Sequence, residues 1–96
     1  MKRFVIFHYG FEMPTPEIME AWSKWFESIG EKIVDPGSPL GNGREISRSG
    51  TKELPMGLDS LTGYTVIHAE SIEEAEKIAK SCPMITSIQV YEAMSM

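Results

Sequence analysis

The stretch Arg3-Phe4-Val5-Ile6-Phe7-His8-Tyr9-Gly10 decides the fold. It is built from aromatic and β-branched residues and meets no breaker before Gly10, which is the pattern of a buried strand. Apolar side chains fall on both parities, so both faces of the strand need cover and it belongs in the middle of a sheet. Working outward, Pro14-Thr15-Pro16-Glu17 opens a helix. Thr15 is the N-cap, Pro16 suits the first helical position, and Glu17 meets the positive end of the helix dipole. Ile18, Trp22, Trp25, Phe26, Ile29 and Ile33 follow at helical spacing along one face, and Gly30 predicts fraying or a cap near that end.

The run from Val34 to Gly43 holds two prolines and three glycines, so it takes an extended, turning course. Asn42-Gly43 is a turn signal. Arg44-Glu45-Ile46-Ser47-Arg48 alternates weakly and predicts a short edge strand whose charges guard the edge. Residues 49–62, punctuated by Gly50, Pro55 and Gly57, read as a loop. Gly63 to Ala69 is the next strong strand. Ser71-Ile72-Glu73-Glu74 is a capping box, and its helix turns Ala75, Ile78, Ala79 and Cys82 inward with Glu73–Lys77 and Glu76–Lys80 outward as i,i+4 pairs. Pro83 stops that helix, and Ile85 to Glu92 is the last strand. The tail after Ala93 is expected to fray.

The order β-α-β-β-α-β predicts a ferredoxin-like α+β domain: an antiparallel four-stranded sheet with two helices on one face. The second face still carries apolar side chains. A second identical sheet packed against it across a two-fold axis covers them, so a homodimer is expected.

Composition bounds the function. Ninety-six residues suit one domain, 1–96, small enough to gain from pairing with a second copy. A net charge of −5 leaves no basic face for phosphates, which argues against nucleic-acid binding. Cys82 is the single cysteine, so no disulfide forms within the chain, and a lone thiol fits a reducing, cytoplasmic setting. No apolar run reaches the roughly 20 residues of a bilayer span, and the apolar stretch after Lys2-Arg3 is too short for a signal peptide. No membrane partner is expected.

Read together, these segments resemble the YCII-related domain family of the dimeric α/β barrel superfamily. The resemblance rests on an ordered series: the opening strand ending in Tyr9-Gly10, Pro16-Glu17 before a Trp-bearing helix, and Ile33-Val34-Asp35-Pro36-Gly37-Ser38-Pro39-Leu40. Gly63-Tyr64, Ser71-x-Glu73-Glu74-Ala75, Ala79-Lys80-x-Cys82-Pro83 and Ser87-Ile88-Gln89-Val90 complete it. The resemblance implies a homodimer with a cleft beside the sheet of each subunit, and a histidine–aspartate pair in that cleft as a sign of catalysis in part of the family. The wider superfamily implies cofactor-free chemistry on small organic molecules, alongside haem-degrading members. An Asp-Gly-Pro-Phe/Tyr motif that many relatives carry before the Gly-Tyr strand is missing here, and Asp59 is the only aspartate left in that region. A site built on that motif does not carry over.

Two residues are the catalytic candidates. A free imidazole titrates near neutral pH, so His8 would serve as general base. Asp35 would orient it or bind a substrate hydroxyl, although a carboxylate in an Asp-Pro-Gly turn also satisfies nearby amides. Trp22 and Trp25 would wall a pocket for a planar ligand or fill the core. Tyr64, at a strand start expected near the end of the first strand, would cluster with His8 and Tyr9 and donate a hydrogen bond to a developing oxyanion. His68 reads as structural, and Cys82, at a helix C-terminus, is a poor nucleophile. Two distant histidines and one cysteine give no metal spacing, and no glycine-rich phosphate loop or haem motif is present, so no cofactor is expected. The sequence thus points to a small-molecule enzyme with a His8/Asp35 site, or alternatively to a non-catalytic ligand-binding or regulatory dimer.

Overall fold

The computed structural model describes residues 1–95. β1 (Lys2–Tyr9) is followed by α1 (Pro16–Ser28), a 3₁₀ turn (Gly30–Lys32) and β2 (Ile33–Asp35). Then come β3 (Arg44–Ser47), β4 (Gly50–Glu53), β5 (Leu61–Ala69), α2 (Ile72–Lys80) and β6 (Ser87–Ala93). The main sheet has the order β2-β5-β1-β6, with every pairing antiparallel. This is the ferredoxin-like arrangement, with β1 in the interior as its two apolar parities require. Met94 and Ser95 continue past β6 without regular structure, and Met96 lies outside the described residues.

Strand parity divides the side chains. Phe4, Ile6 and His8 of β1 face the helices with Thr65, Ile67 and Ala69 of β5, and all six are buried. α1 adds Trp25, and Ile29 beyond its last turn; α2 adds Ala75 and Ala79, with Cys82 just after it. Removing Phe4 or Ile6 from water stabilises the fold by about 1.5–3 kcal/mol each. The helices are held by their expected caps. Thr15 Oγ1 accepts from the Ile18 amide at 3.2 Å, and Ser71 Oγ accepts from the Glu74 amide at 3.2 Å. Glu74 reaches back to the Glu70 amide and also meets Lys32 at 3.2 Å, tying α2 to the 3₁₀ turn.

The expected second strand is corrected. β2 is Ile33–Asp35, whereas Arg44–Ser47 pairs with Gly50–Glu53 in a separate two-stranded ribbon whose eight residues are all exposed. Ile33 ends up on a strand because α1 stops at Ser28, where Ile29 leaves helical geometry and its amide bonds back to Trp25 O. Part of the expected loop is a strand because of local complementarity. Arg44 stands opposite Glu53 and Glu45 opposite Lys52, so a short hairpin matches opposite charges at little loop-closure cost. Of the expected α2 pairs, Glu76–Lys80 forms at 3.0 Å, and an α1 pair, Glu20–Lys24, forms at 3.2 Å.

The helices leave the other sheet face bare. It carries Val5, Phe7 and Tyr9, with Tyr64, Val66 and Tyr91 beside them. Phe7 and Tyr91 meet edge to face at 5.8 Å. The molecule is accordingly thin, 41 × 40 × 18 Å. No helix among the described residues is long and apolar enough to cross a membrane.

Candidate functional site

His8 sits on the helix-facing side of β1, 9% exposed, where α1 crosses the sheet. Its ring meets Trp22 edge to face at 5.1 Å and Trp25 at 6.0 Å, and the two indoles meet each other at 5.7 Å. Spacing of three along α1 thus gives both tryptophans one broad face, with Phe26 packed on both. Trp25 is fixed: it is 3% exposed and its Nε1–H donates to Ser81 Oγ at 2.9 Å. Trp22 has no such tether among the described residues and is only half-buried.

His8 Nε2 lies 3.0 Å from Thr65 Oγ1, and that hydroxyl is 3.5 Å from the Pro36 carbonyl oxygen. His8 Nδ1 is buried and has no hydrogen-bond partner among the described residues. Burial disfavours the charged imidazolium and pushes the His8 pKa from 6.5 down to about 4. The resting imidazole is therefore neutral at physiological pH, with one ring nitrogen engaged and the other idle. Thr65, 1% exposed, is the residue that sequence reasoning missed. Its signal was present: on the inward parity Thr65-x-Ile67-x-Ala69 it is the one polar side chain.

Asp35 does not touch His8. Its Oδ1 accepts from the Gly37 amide at 2.8 Å, closing the turn that carries Pro36. Gly37 has φ +79°, and a Cβ there would stand 1.7 Å from Tyr64 O, so the turn lies hard against β5. The carboxylate thus acts on the turn that offers the Pro36 carbonyl to Thr65.

Tyr9 and Tyr64 do not join His8. In the β1–β5 register His8 faces Gly63 and Phe7 faces Tyr64, so strand alternation puts both tyrosines on the bare face. Tyr9 donates to Gln89 Oε1 at 3.0 Å. Tyr9 also lines an open, mostly apolar cleft of about 720 Å³ with Leu40, Arg44, Leu54, Met56 and Leu61. The loop forming its far wall is tied to the sheet end through Gly10 N–H to Ser60 O and Phe11 N–H to Gly57 O. Cys82 is buried, with its thiol pKa pushed up to about 11 by desolvation, so it is not a nucleophile. Among the described residues no three His, Cys, Asp or Glu side chains gather as a metal site.

No family model matches the chain. No curated protein matches it either. Among solved structures it is similar to 5-chloro-2-hydroxyhydroquinone dehydrochlorinase from Burkholderia phenoliruptrix in complex with 2,5-dihydroxybenzoquinone, at TM-score 0.57 and 17% identity over 96% of this chain and 93% of that one. At that identity the likeness speaks for a shared fold, and it is the ferredoxin-like α+β fold found above.

Proposed function

We propose that the chain is the subunit of a YCII-like homodimer that acts on a small planar, hydroxylated organic compound bound against His8, with no organic cofactor. The observation that carries this reading is the idle Nδ1 of a neutral histidine beside a half-buried indole. Displacing Trp22 admits a flat ligand between aromatic walls, and its proton then lies beside Nδ1. A histidine with a pKa of about 4 is a weak base at rest. An anion formed next to it in a low-dielectric site raises that pKa again, so proton transfer and charge development reinforce each other. Asp35 serves by holding the Asp35–Gly37 turn. The substrate class follows the ligand of the similar structure, a hydroxylated benzoquinone.

The homodimer rests on the bare sheet face. The radius of gyration is 14.4 Å, against about 12.5 Å for a compact domain of this length. A thin two-layer body with Val5, Phe7, Val66 and Tyr91 on its open side gains a third and fourth layer from a sister chain. Tyr9 and Tyr64 then belong to the enclosed interface. A small monomeric protein of this size in the reducing cytoplasm would leave that face wet.

Two measurements test the reading. Sedimentation equilibrium at micromolar concentration is expected to give the dimer mass. Titration with 2,5-dihydroxybenzoquinone or a chlorinated hydroxyhydroquinone is expected to quench tryptophan fluorescence, with product detected by mass spectrometry. Turnover is lost in His8→Ala while the dimer persists. Unchanged turnover in that variant dismisses His8, and saturable binding with no product makes the chain the ligand-binding module instead.

A further inference from the structure

We infer that Thr65 is a positioning residue: by bridging the Pro36 carbonyl and His8 Nε2 it holds the imidazole in the Nε2–H tautomer, so that a bare Nδ1 lone pair selects ligands bringing a hydroxyl proton. The inference rests on the proposed His8 site and names what that site recognises.

The proton count decides the tautomer. One hydrogen lies between His8 Nε2 and Thr65 Oγ1, which are 3.0 Å apart. If the Thr65 hydroxyl gave its proton to Nε2, the Pro36 carbonyl would receive nothing from Thr65. Nδ1 would then carry an N–H buried without an acceptor, the rarer and costlier kind of orphan. If the hydroxyl donates to Pro36 O at 3.5 Å, Thr65 accepts from Nε2–H and both bonds are made. Only a lone pair is then left idle. The second arrangement has one more hydrogen bond and no orphaned donor.

The neighbourhood leaves this setting to Thr65 alone. Trp22 and Trp25 meet the imidazole through ring contacts, and among the described residues no charged side chain is hydrogen-bonded to it. Thr65 in turn is fixed by its place in β5, where the Asp35–Gly37 turn packs against the neighbouring Tyr64 backbone and presents the Pro36 carbonyl to Thr65. A ligand meeting Nδ1 must therefore donate: a phenolic or enolic hydroxyl satisfies it, and an ether or a bare carbonyl repeats the vacancy.

The test reads the tautomer directly. Protein labelled with ¹⁵N-histidine is examined near neutral pH by long-range proton–nitrogen correlation. His8 is expected to show an unprotonated Nδ1 and a protonated Nε2. Thr65→Ser, which keeps the hydroxyl, is expected to preserve that single tautomer, and Thr65→Val to replace it with a mixture. Phenol is expected to move the His8 Nδ1 resonance, anisole to leave it in place, and Thr65→Val to bind phenol about tenfold more weakly. A protonated Nδ1 in the wild type overturns the inference, as does a Thr65→Val spectrum equal to wild type. Should Thr65→Val not fold, the wild-type and Thr65→Ser spectra decide it alone. If the tautomer follows Thr65 but phenol does not bind, the relay stands and the ligand selection, with the His8 site it rests on, falls.

Discussion

Acid should weaken this fold through His8, because burial holds its imidazole neutral in the folded chain. The folded-state pKa is about 4, while the unfolded chain returns the imidazole to its ordinary 6.5. Above the unfolded value both states are neutral and His8 imposes no penalty. Between the two values the unfolded chain binds a proton that the folded chain refuses. Stability therefore falls with falling pH across that window, at up to about 1.4 kcal/mol per pH unit. Below the folded value the loss is complete, at about 3 kcal/mol, a large share of the 5–15 kcal/mol a domain has. Carboxylates titrate in the same range. Glu74, held below its usual range first by its hydrogen bond from Lys32, also favours the folded state only while ionised. A difference measurement removes them. Urea unfolding of wild type and His8→Gln is followed from about pH 7 to about pH 4 at one fixed protein concentration, since dimerisation would couple to folding. The glutamine can keep the bond to Thr65 but has no proton to gain. The wild type should lose about 3 kcal/mol relative to the variant, all of it on the acid side. A flat difference would show that His8 is not buried as a neutral ring, and a difference of opposite sign would show a cationic His8 paired with a carboxylate.

Other perturbations test separate parts of the fold. Trp25→Ala removes a buried indole and its bond to Ser81, and is expected to cost about 3–5 kcal/mol in urea unfolding, with Trp25→Phe costing distinctly less. Gly37→Ala is expected to lower the thermal midpoint sharply, because the new Cβ needs φ +79° and collides with the Tyr64 carbonyl, whereas Gly41→Ala, with open space around it, should be near neutral. Ser71→Ala is expected to cost about 1 kcal/mol through the lost cap on Glu74 N–H, measured by the same unfolding. Tyr91→Lys, at an exposed position on the bare face, should shift sedimentation from dimer to monomer while leaving the circular dichroism of the subunit unchanged.

Most of the fold was legible because its strongest elements carry local signals. β1 and β5 announce themselves as runs of aromatic and β-branched residues free of breakers, and both helices by an N-cap hydroxyl three residues ahead of the amide it satisfies. What was not legible is the second strand. Ile33-Val34-Asp35 is too short to show a period of two, and Ile33 also fits the period of α1. Only the break at Ile29 and the pairing of Ile33 with Ile67 across the sheet move it from helix to strand. Arg44–Ser47 has the better local pattern. Yet it pairs with its own neighbour Gly50–Glu53, a short local hairpin with opposite charges facing across it.

The candidate site divides along the same line between local and non-local information. Parity alone assigns His8 to the side of Phe4 and Ile6, and that reading needs only β1. Placing Tyr64 with His8 requires the register between β1 and β5, and one residue decides it: Gly63, not Tyr64, stands opposite His8. A shift of one position would have put the tyrosine hydroxyl on the imidazole's face of the sheet, since a slip by one flips every side chain. The same register brings Thr65 beside His8, while Asp35, on β2, is taken up by the Gly37 amide of its own turn, so a His–Thr–carbonyl relay stands in place of the expected His–Asp pair. A carboxylate at Nε2 would stabilise the imidazolium and raise its pKa. A hydroxyl backed by a carbonyl fixes the tautomer without supplying that charge. The histidine of this chain is accordingly built to stay neutral, and under the proposed function the charge arrives only with the ligand.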